Sequence, residues 1–303
     1  MSGADEATHY SNRGEWPTWI VLTSNYIAWG LTTWNHAVIP WWILIFVGGF
    51  VVCVHGSLQH ELLHGHPTRS RFLNKSLVWL PLGLWMPFTI YRDSHIAHHQ
   101  CERLTDPAED PESFYMPAED WERYSGARRL LLKFNNTLIG RLTIGPVIAV
   151  AAFWYRQVKM LIKGDRRYLS VWAWHLIGCG LVLYWAVGVC GMSFWQYVVF
   201  IAWPGLSFTL LRSYTEHRPS ENLNQRTIII EGSRLTRLLF LNNNFHHVHH
   251  KDPGLAWYEL GSRYNQTREQ VLEENGGFYY RSYFDLFRRY LIRTKDEPVY
   301  PAA

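Results

Sequence analysis

The sequence predicts an all-α integral membrane protein: four transmembrane helices, paired as two hairpins, with a cytoplasmic helical cap that holds a two-metal site. Three features carry that prediction. Two long stretches, 16–60 and 168–211, contain no Asp, Glu, Lys or Arg. The 29 basic residues all lie outside those stretches and the short turns within them. Most of the fifteen histidines fall into three tight boxes, at 60–64, 95–99 and 246–250.

A bilayer-crossing helix needs about 20 predominantly apolar residues, so each uncharged stretch is long enough for two. The first divides near 35–40 into spans 16–34 and 39–58, the second near 188–193 into spans 168–187 and 194–211. Overall hydrophobic content is ordinary at 48%. The mean hydropathy of −0.14 averages the hairpins with polar loops. Arg13 precedes the first span, and every other Lys or Arg lies between the hairpins or after the second. All of them therefore share one face, which the positive-inside rule makes cytoplasmic. The net charge of +4 is then an orientation signal and not a nucleic-acid footprint. Sixteen Trp and seventeen Tyr suit aromatic belts at the two interfaces.

The remaining segments follow in order. Residues 1–15 read as a polar arm without the basic and small-residue marks of a removable signal peptide, and 16–303 as a single domain. The stretch 77–90 is apolar but broken by Pro81, Gly83 and Pro87; it is too short to span and is expected to be interfacial or re-entrant. Residues 100–127 are acidic and carry Asp106-Pro107, Asp110-Pro111 and Met116-Pro117, which favour turns: a cytoplasmic loop or lid. The stretch 130–155 holds Lys133 and Arg141, so it is expected as an interfacial helix and not a fifth span. The tail 278–292 alternates aromatics with Arg281, Arg288 and Arg289, the pattern of an amphipathic helix lying on a membrane. Cys53, Cys101, Cys179 and Cys190 form no CxxC pair and are expected as free thiols.

The boxes are His60-Glu61-Leu62-Leu63-His64, His95-Ile96-Ala97-His98-His99 and His246-His247-Val248-His249-His250, with Glu216-His217 ahead of the third. Residues three and four apart share a helix face. HxxxH therefore aims two imidazoles at one point, and HxxHH aims three. Neutral imidazole is the commonest metal ligand. An even number of spans precedes each box, so all of them emerge on the same face. Nine positions (His60, His64, His95, His98, His99, His217, His246, His249, His250) exceed the four ligands of a structural zinc and suit two ions. Imidazole suits iron, copper, nickel and zinc alike. At a lipid boundary a redox metal can oxidise alkyl C–H bonds, which zinc cannot. His9, His36, His55 and His175 read as structural, and His66 and His247 lie off the box pattern. Asp93, Asp106, Glu216 and Asp252 flank the boxes. Asp106 and Glu216 are the foremost candidates to accept the second N–H of a ligating imidazole.

The three boxes, in this order and with Asn242-Asn243-Asn244 before the last, resemble the membrane fatty acid desaturase superfamily over roughly residues 16–260. That group includes acyl desaturases, acyl hydroxylases, and carotenoid ketolases and hydroxylases. The resemblance implies a non-haem di-iron enzyme that uses O2 and two electrons, with two iron ions held by the nine histidines and a lipid or acyl substrate. Glu216-His217 resembles the extra ligand contributed after the last span. Where acyl-CoA desaturases carry a nearby asparagine, this chain has Ser213. Leu104-Thr105-Asp106-Pro107 resembles bacterial members, which implies a bacterial inner membrane. Fatty acyl desaturation is the expected reaction; acyl or alkane hydroxylation and carotenoid oxidation come next. The chain carries no rubredoxin-like pair of CxxC motifs and no cytochrome-like segment, so a separate donor of ferredoxin or rubredoxin type is expected. Two rivals remain. HELLH also satisfies the zinc-protease pattern HExxH, with Glu61 as general base, but that leaves two boxes unexplained. A metal transporter would hold its ligands near the bilayer midplane, whereas these lie outside the spans.

Overall fold

The computed structural model describes residues 14–301. The arm expected at 1–15, with His9, falls almost wholly outside the described residues. Helix α1 (Trp16–Trp34) opens on Pro17, whose missing N–H costs nothing in a first helical turn. Helix α2 (Trp41–Leu63) follows Pro40. It runs past the expected end at 58, because nothing between Gln59 and Leu63 breaks a helix; Gly65, at φ 103°, turns the chain. After the cap's first part come α9 (Leu169–Val189) and α10 (Phe194–Glu216). Ser193 starts α10 with a capping box shared with Gln196. A π turn at Val198–Ala202 precedes Pro204, where the ordinary hydrogen-bond ladder loses a donor.

Three described helices, α2, α9 and α10, are long and apolar enough to cross a membrane. Helix α1 occupies the expected first span but is less apolar, and its composition shows why. Thr18, Asn25, Thr32 and Thr33 are buried, while Ile20, Ile27, Leu31 and Trp34 face outward. The inner face also buries Leu22 and Trp29. The most extensive helix–helix contact joins α2 to α10. A Cβ on Gly48 would stand 2.6 Å from the Phe200 carbonyl, and one on Gly205 2.3 Å from Val52 Cγ1, so only glycine permits this approach.

Residues 78–87, expected as interfacial or re-entrant, contain no helix and insert among the spans. Pro81 packs against Gly178 of α9. The Leu82 carbonyl accepts from Tyr197 O–H (2.9 Å), and the Trp85 carbonyl accepts from Trp154 Nε1–H (2.9 Å). The Leu84 carbonyl faces His175 Nε2 at 3.2 Å. Buried irregular backbone persists only when its polar groups are satisfied in this way.

The cap is built from short helices: α3 (Arg71–Leu77), α4 (Phe88–His99), α5 (Ala118–Arg123), α6 (Gly126–Asn135), α7 (Leu138–Thr143) and α8 (Gly145–Ile162). The single interfacial helix expected over 130–155 is thus three. Thr137 caps α7 through Gly140 N–H, and a Cβ on Gly140 would meet the Phe134 carbonyl at 1.8 Å, so the chain folds back sharply there. Further on, β1 (Ile229–Ile230) pairs in parallel with β2 (Tyr279–Tyr280). Helices α11 (Arg234–Leu239), α12 (His246–Lys251) and α13 (Trp257–Glu274) lie between them. The expected amphipathic tail is α14 (Tyr283–Tyr290), with Leu286 buried and Phe284 and Phe287 exposed.

Candidate metal centre

Each box sits on a helix end that meets the others. His60 lies in the last turn of α2, and His64 is its C-cap. His95, His98 and His99 close α4, and α12 carries His246, His249 and His250. His217 follows α10 in extended backbone, φ −130° and ψ 152°, held by a bridge to Thr227. All nine pattern histidines come together, in two groups. His60, His64, His95, His99 and His249 form one; His98, His217, His246 and His250 form the other. Within each group the candidate ligand atoms all lie within 4.8 Å of one another. The rings of His99 and His250, one from each group, stack at 4.3 Å between centroids.

Ring tautomers follow from what the outer nitrogens touch. His98 Nδ1 meets Asp110 Oδ1 at 2.8 Å, and His95 Nδ1 meets Glu112 Oε2 at 3.1 Å. His246 Nδ1 faces Asn243 Oδ1 at 3.3 Å and Glu216 Oε1 at 3.4 Å. These partners accept, so each Nδ1 carries the proton and each Nε2 turns a lone pair inward. Yet His217 Nε2 stands 3.0 Å from both His98 Nε2 and His246 Nε2, and His250 Nε2 stands 3.1 Å from His246 Nε2. In the other group His99 Nε2 lies 3.1 Å from His95 Nε2 and 3.1 Å from His249 Nε2. His60 Nε2 is buried without a hydrogen-bond partner. Where neither of two facing nitrogens carries a proton, lone pairs this close repel unless a cation lies among them. The spacing fits one: donors bonded at about 2.1 Å and at right angles to one another stand about 3.0 Å apart.

Burial holds His64, His99, His217, His246, His249 and His250 well below the usual histidine range, in the neutral form that ligates. His95 is also lowered by burial, against the pull of Glu112. His98 is the exception: burial pulls it down, but the Asp110 hydrogen bond and nearby carboxylates leave it raised. Glu112 is held down at about 2; burial opposes its charge and the facing His95 favours it.

Glu216 lies beside His246. Its Oε1 accepts from Asn243 Nδ2–H (2.9 Å) and pairs with Arg212 Nε (2.9 Å). Asp106 is engaged elsewhere: its Oδ1 accepts from Ala108 N–H and its Oδ2 pairs with Arg103, within the turn after α4. The carboxylates that meet ring nitrogens in that loop are Asp110 and Glu112, which sequence reasoning missed. Within 100–127, the turn at 110–112 thus meets α4, and the segment ends in α5 and the start of α6. The available signal was Asp110-Pro111-Glu112 itself, two acids in a turn shortly after a box.

Among the described residues, the other histidines lie outside both groups. His55 faces Tyr26 O–H (3.4 Å), and His66 lies between Glu15 (3.2 Å) and the Gly254 carbonyl (3.0 Å). His247 meets Thr227 Oγ1 at 2.7 Å. Glu61 lies outside both histidine groups; its Oε1 accepts from Trp257 N–H (3.0 Å), fastening α2 to the start of α13. Ser213 Oγ donates to its own helix at Leu210. Among the described residues all four cysteines are free.

A helical protein with membrane-spanning helices, capped by two adjoining polyhistidine groups of ligand size, is the class that fold and site define. Within that class the chain belongs to the fatty acid desaturase family, whose model matches residues 9–283. No curated protein matches the chain.

Proposed function

We propose that the protein is an O2-dependent oxidase of alkyl chains, and that it introduces a double bond into a fatty acyl chain. One iron is held by His60, His64, His95, His99 and His249, and a second by His98, His217, His246 and His250. Support for this comes above all from one observation: nine imidazoles, seven of them buried, bring their ring nitrogens together in two adjoining groups. When bound, the iron pair supplies the redox chemistry that activates O2. The protein's own groups keep the ligands neutral by burial, set their tautomers through Asp110, Glu112 and Asn243, and keep bulk water from most of the rings.

Desaturation removes two hydrogens from the chain; with O2, two electrons and two protons it yields two waters. The electrons come from a separate ferredoxin- or rubredoxin-type donor. The outward face of α1 supports its role as a fourth span, which with α2, α9 and α10 puts every box on the cytoplasmic side of a bacterial inner membrane.

Metal analysis of anaerobically purified protein, together with lipid profiling of cells that express it, tests the reading. The expected result is close to two irons per chain and new unsaturated acyl products. One zinc and no iron in a folded sample would overturn it. Hydroxylated products with two irons would keep the metal centre and change the reaction.

A further inference from the structure

The family match ends at residue 283, yet the chain beyond α14 is firmly tied to the cap. Its backbone bonds two separate segments, and its side chains reach a third. Leu291 O accepts from Ile139 N–H (3.0 Å) and Lys295 N–H donates to Asn136 O (3.1 Å), both at the α6–α7 junction. Pro298 O accepts from Met116 N–H and Tyr300 N–H donates to Met116 O, each at 2.9 Å, at the end of the acidic loop. The third segment is the end of α10. There the buried Lys295 Nζ donates to the carbonyl of His217 (3.3 Å) and pairs with Asp296, whose Oδ2 accepts from Tyr115 O–H (2.8 Å).

We propose that residues 291–301 are a strap that positions the four-histidine group, with Lys295 as the positioning residue for His217. The inference rests on the metal-binding reading above. His217 is the one pattern histidine in extended backbone, so no helical ladder fixes its peptide; the Thr227 bridge and Lys295 do. The same strap reaches, through Asp296 and Tyr115, the loop whose Asp110 orients His98 of the same group. The five-histidine group takes its places from α2, α4 and α12. Among the described residues, the strap's hydrogen bonds reach none of those three helices. The strap's direct contact therefore falls on the four-histidine group alone, through His217, while the loop it reaches through Tyr115 carries both Asp110 and Glu112, which meet one histidine of each group.

Titration of metal-free protein in detergent with cobaltous ion alone, read by calorimetry and by its visible bands, tests this. Wild type should take up two equivalents. Lys295→Met should keep one at wild-type affinity and weaken the other about tenfold or more, the scale for groups that orient a ligand. The bands that fade should be those lost in His217→Ala, and the double variant should show no further loss. Lys295→Arg, which keeps a cationic donor, should restore most of the affinity. Arg167→Gln, at a surface pair with Asp165 (2.7 Å) outside the strap, should leave both equivalents unchanged. Tyr115→Phe removes one bond to Asp296, the partner of Lys295, and should weaken the same equivalent by less, which keeps the test open if Lys295→Met fails to fold. Unchanged uptake in both Lys295→Met and Tyr115→Phe, or equal weakening of both equivalents, overturns the strap. A wild type that binds no cobalt overturns the metal reading along with it; failure of the strap alone leaves two equivalents in wild type and variants.

Discussion

Asp110→Asn is the sharpest single perturbation of the centre. The Asp110 carboxylate accepts three N–H groups: His98 Nδ1 and Glu112 N on Oδ1, at 2.8 and 2.9 Å, and Thr105 N on Oδ2, at 2.8 Å. Asparagine keeps one oxygen and presents an NH2 in place of the other. Whichever way it turns, at least one N–H faces a donor. At least one charge-assisted bond is therefore lost, on the order of 1.5–3 kcal/mol. If the amide turns toward His98, the Nδ1–H tautomer is no longer dictated and Nε2 is no longer held as a lone pair. Loss of a group that orients a ligand typically costs ~10–100-fold in metal affinity, or about 1.4–2.7 kcal/mol, which overlaps the hydrogen-bond figure. The deficit should fall on the four-histidine group, since His95 keeps its own partner in Glu112. Competition against a chelator of known affinity measures it directly. Affinities for both equivalents within twofold of wild type, in a protein that melts normally, would refute the role given to Asp110.

Four further outcomes are expected. Alanine at His60 or His249 should remove the other metal equivalent and abolish oxidation, whereas His36→Ala should do neither; two equivalents in His60→Ala would dissolve the five-histidine group. Gly205→Leu forces a side chain against Val52, an overpacking of about 1–3 kcal/mol or more, and unaltered thermal melting in detergent would count against that contact. Chelation should lower the melting temperature, because an ion bound only by the folded state stabilises it by mass action; equal melting with and without chelator would deny that link. Acid should strip the metal. The six strongly depressed histidines contribute stability above the ordinary histidine value of ~6.5 and give it up as pH falls through their lower folded values. Loss should thus begin below about pH 6.5 and shift further down with added ferrous ion. An acid limb indifferent to iron concentration would point to a different titrating group.

Local chemistry made much of this molecule legible. The uncharged stretches carry the long helices because their period and length leave no other way to satisfy forty apolar-rich residues, and charge-free turns separate them. The boxes declare their shared faces because helix geometry places i, i+3 and i+4 together. Where an expectation went astray, a neighbour far along the chain or a local turn decided. Helix α2 continued through HELLH since no breaker intervened. The stretch 130–155 split into three helices because Gly140 allows a fold-back that no average hydropathy reports. Asp106 and Asp110 are near neighbours in one turn-rich loop, and only the turn's geometry sends Asp110 to His98 and Asp106 to Ala108 N–H.

The sequence by itself determined that there would be long membrane helices and nine imidazoles emerging on one side, because both depend on spacing within single segments. Tertiary structure alone decided how those imidazoles divide. His98 and His99 are adjacent in the chain yet belong to different groups, and His217 joins the first of them from the far end of another hairpin. It alone also decided which acids set the tautomers, and that the tail's Lys295 meets the His217 carbonyl. Each of these is a meeting of side chains or peptides separated by many residues. Such meetings are set by the packing of whole helices, which no local period records.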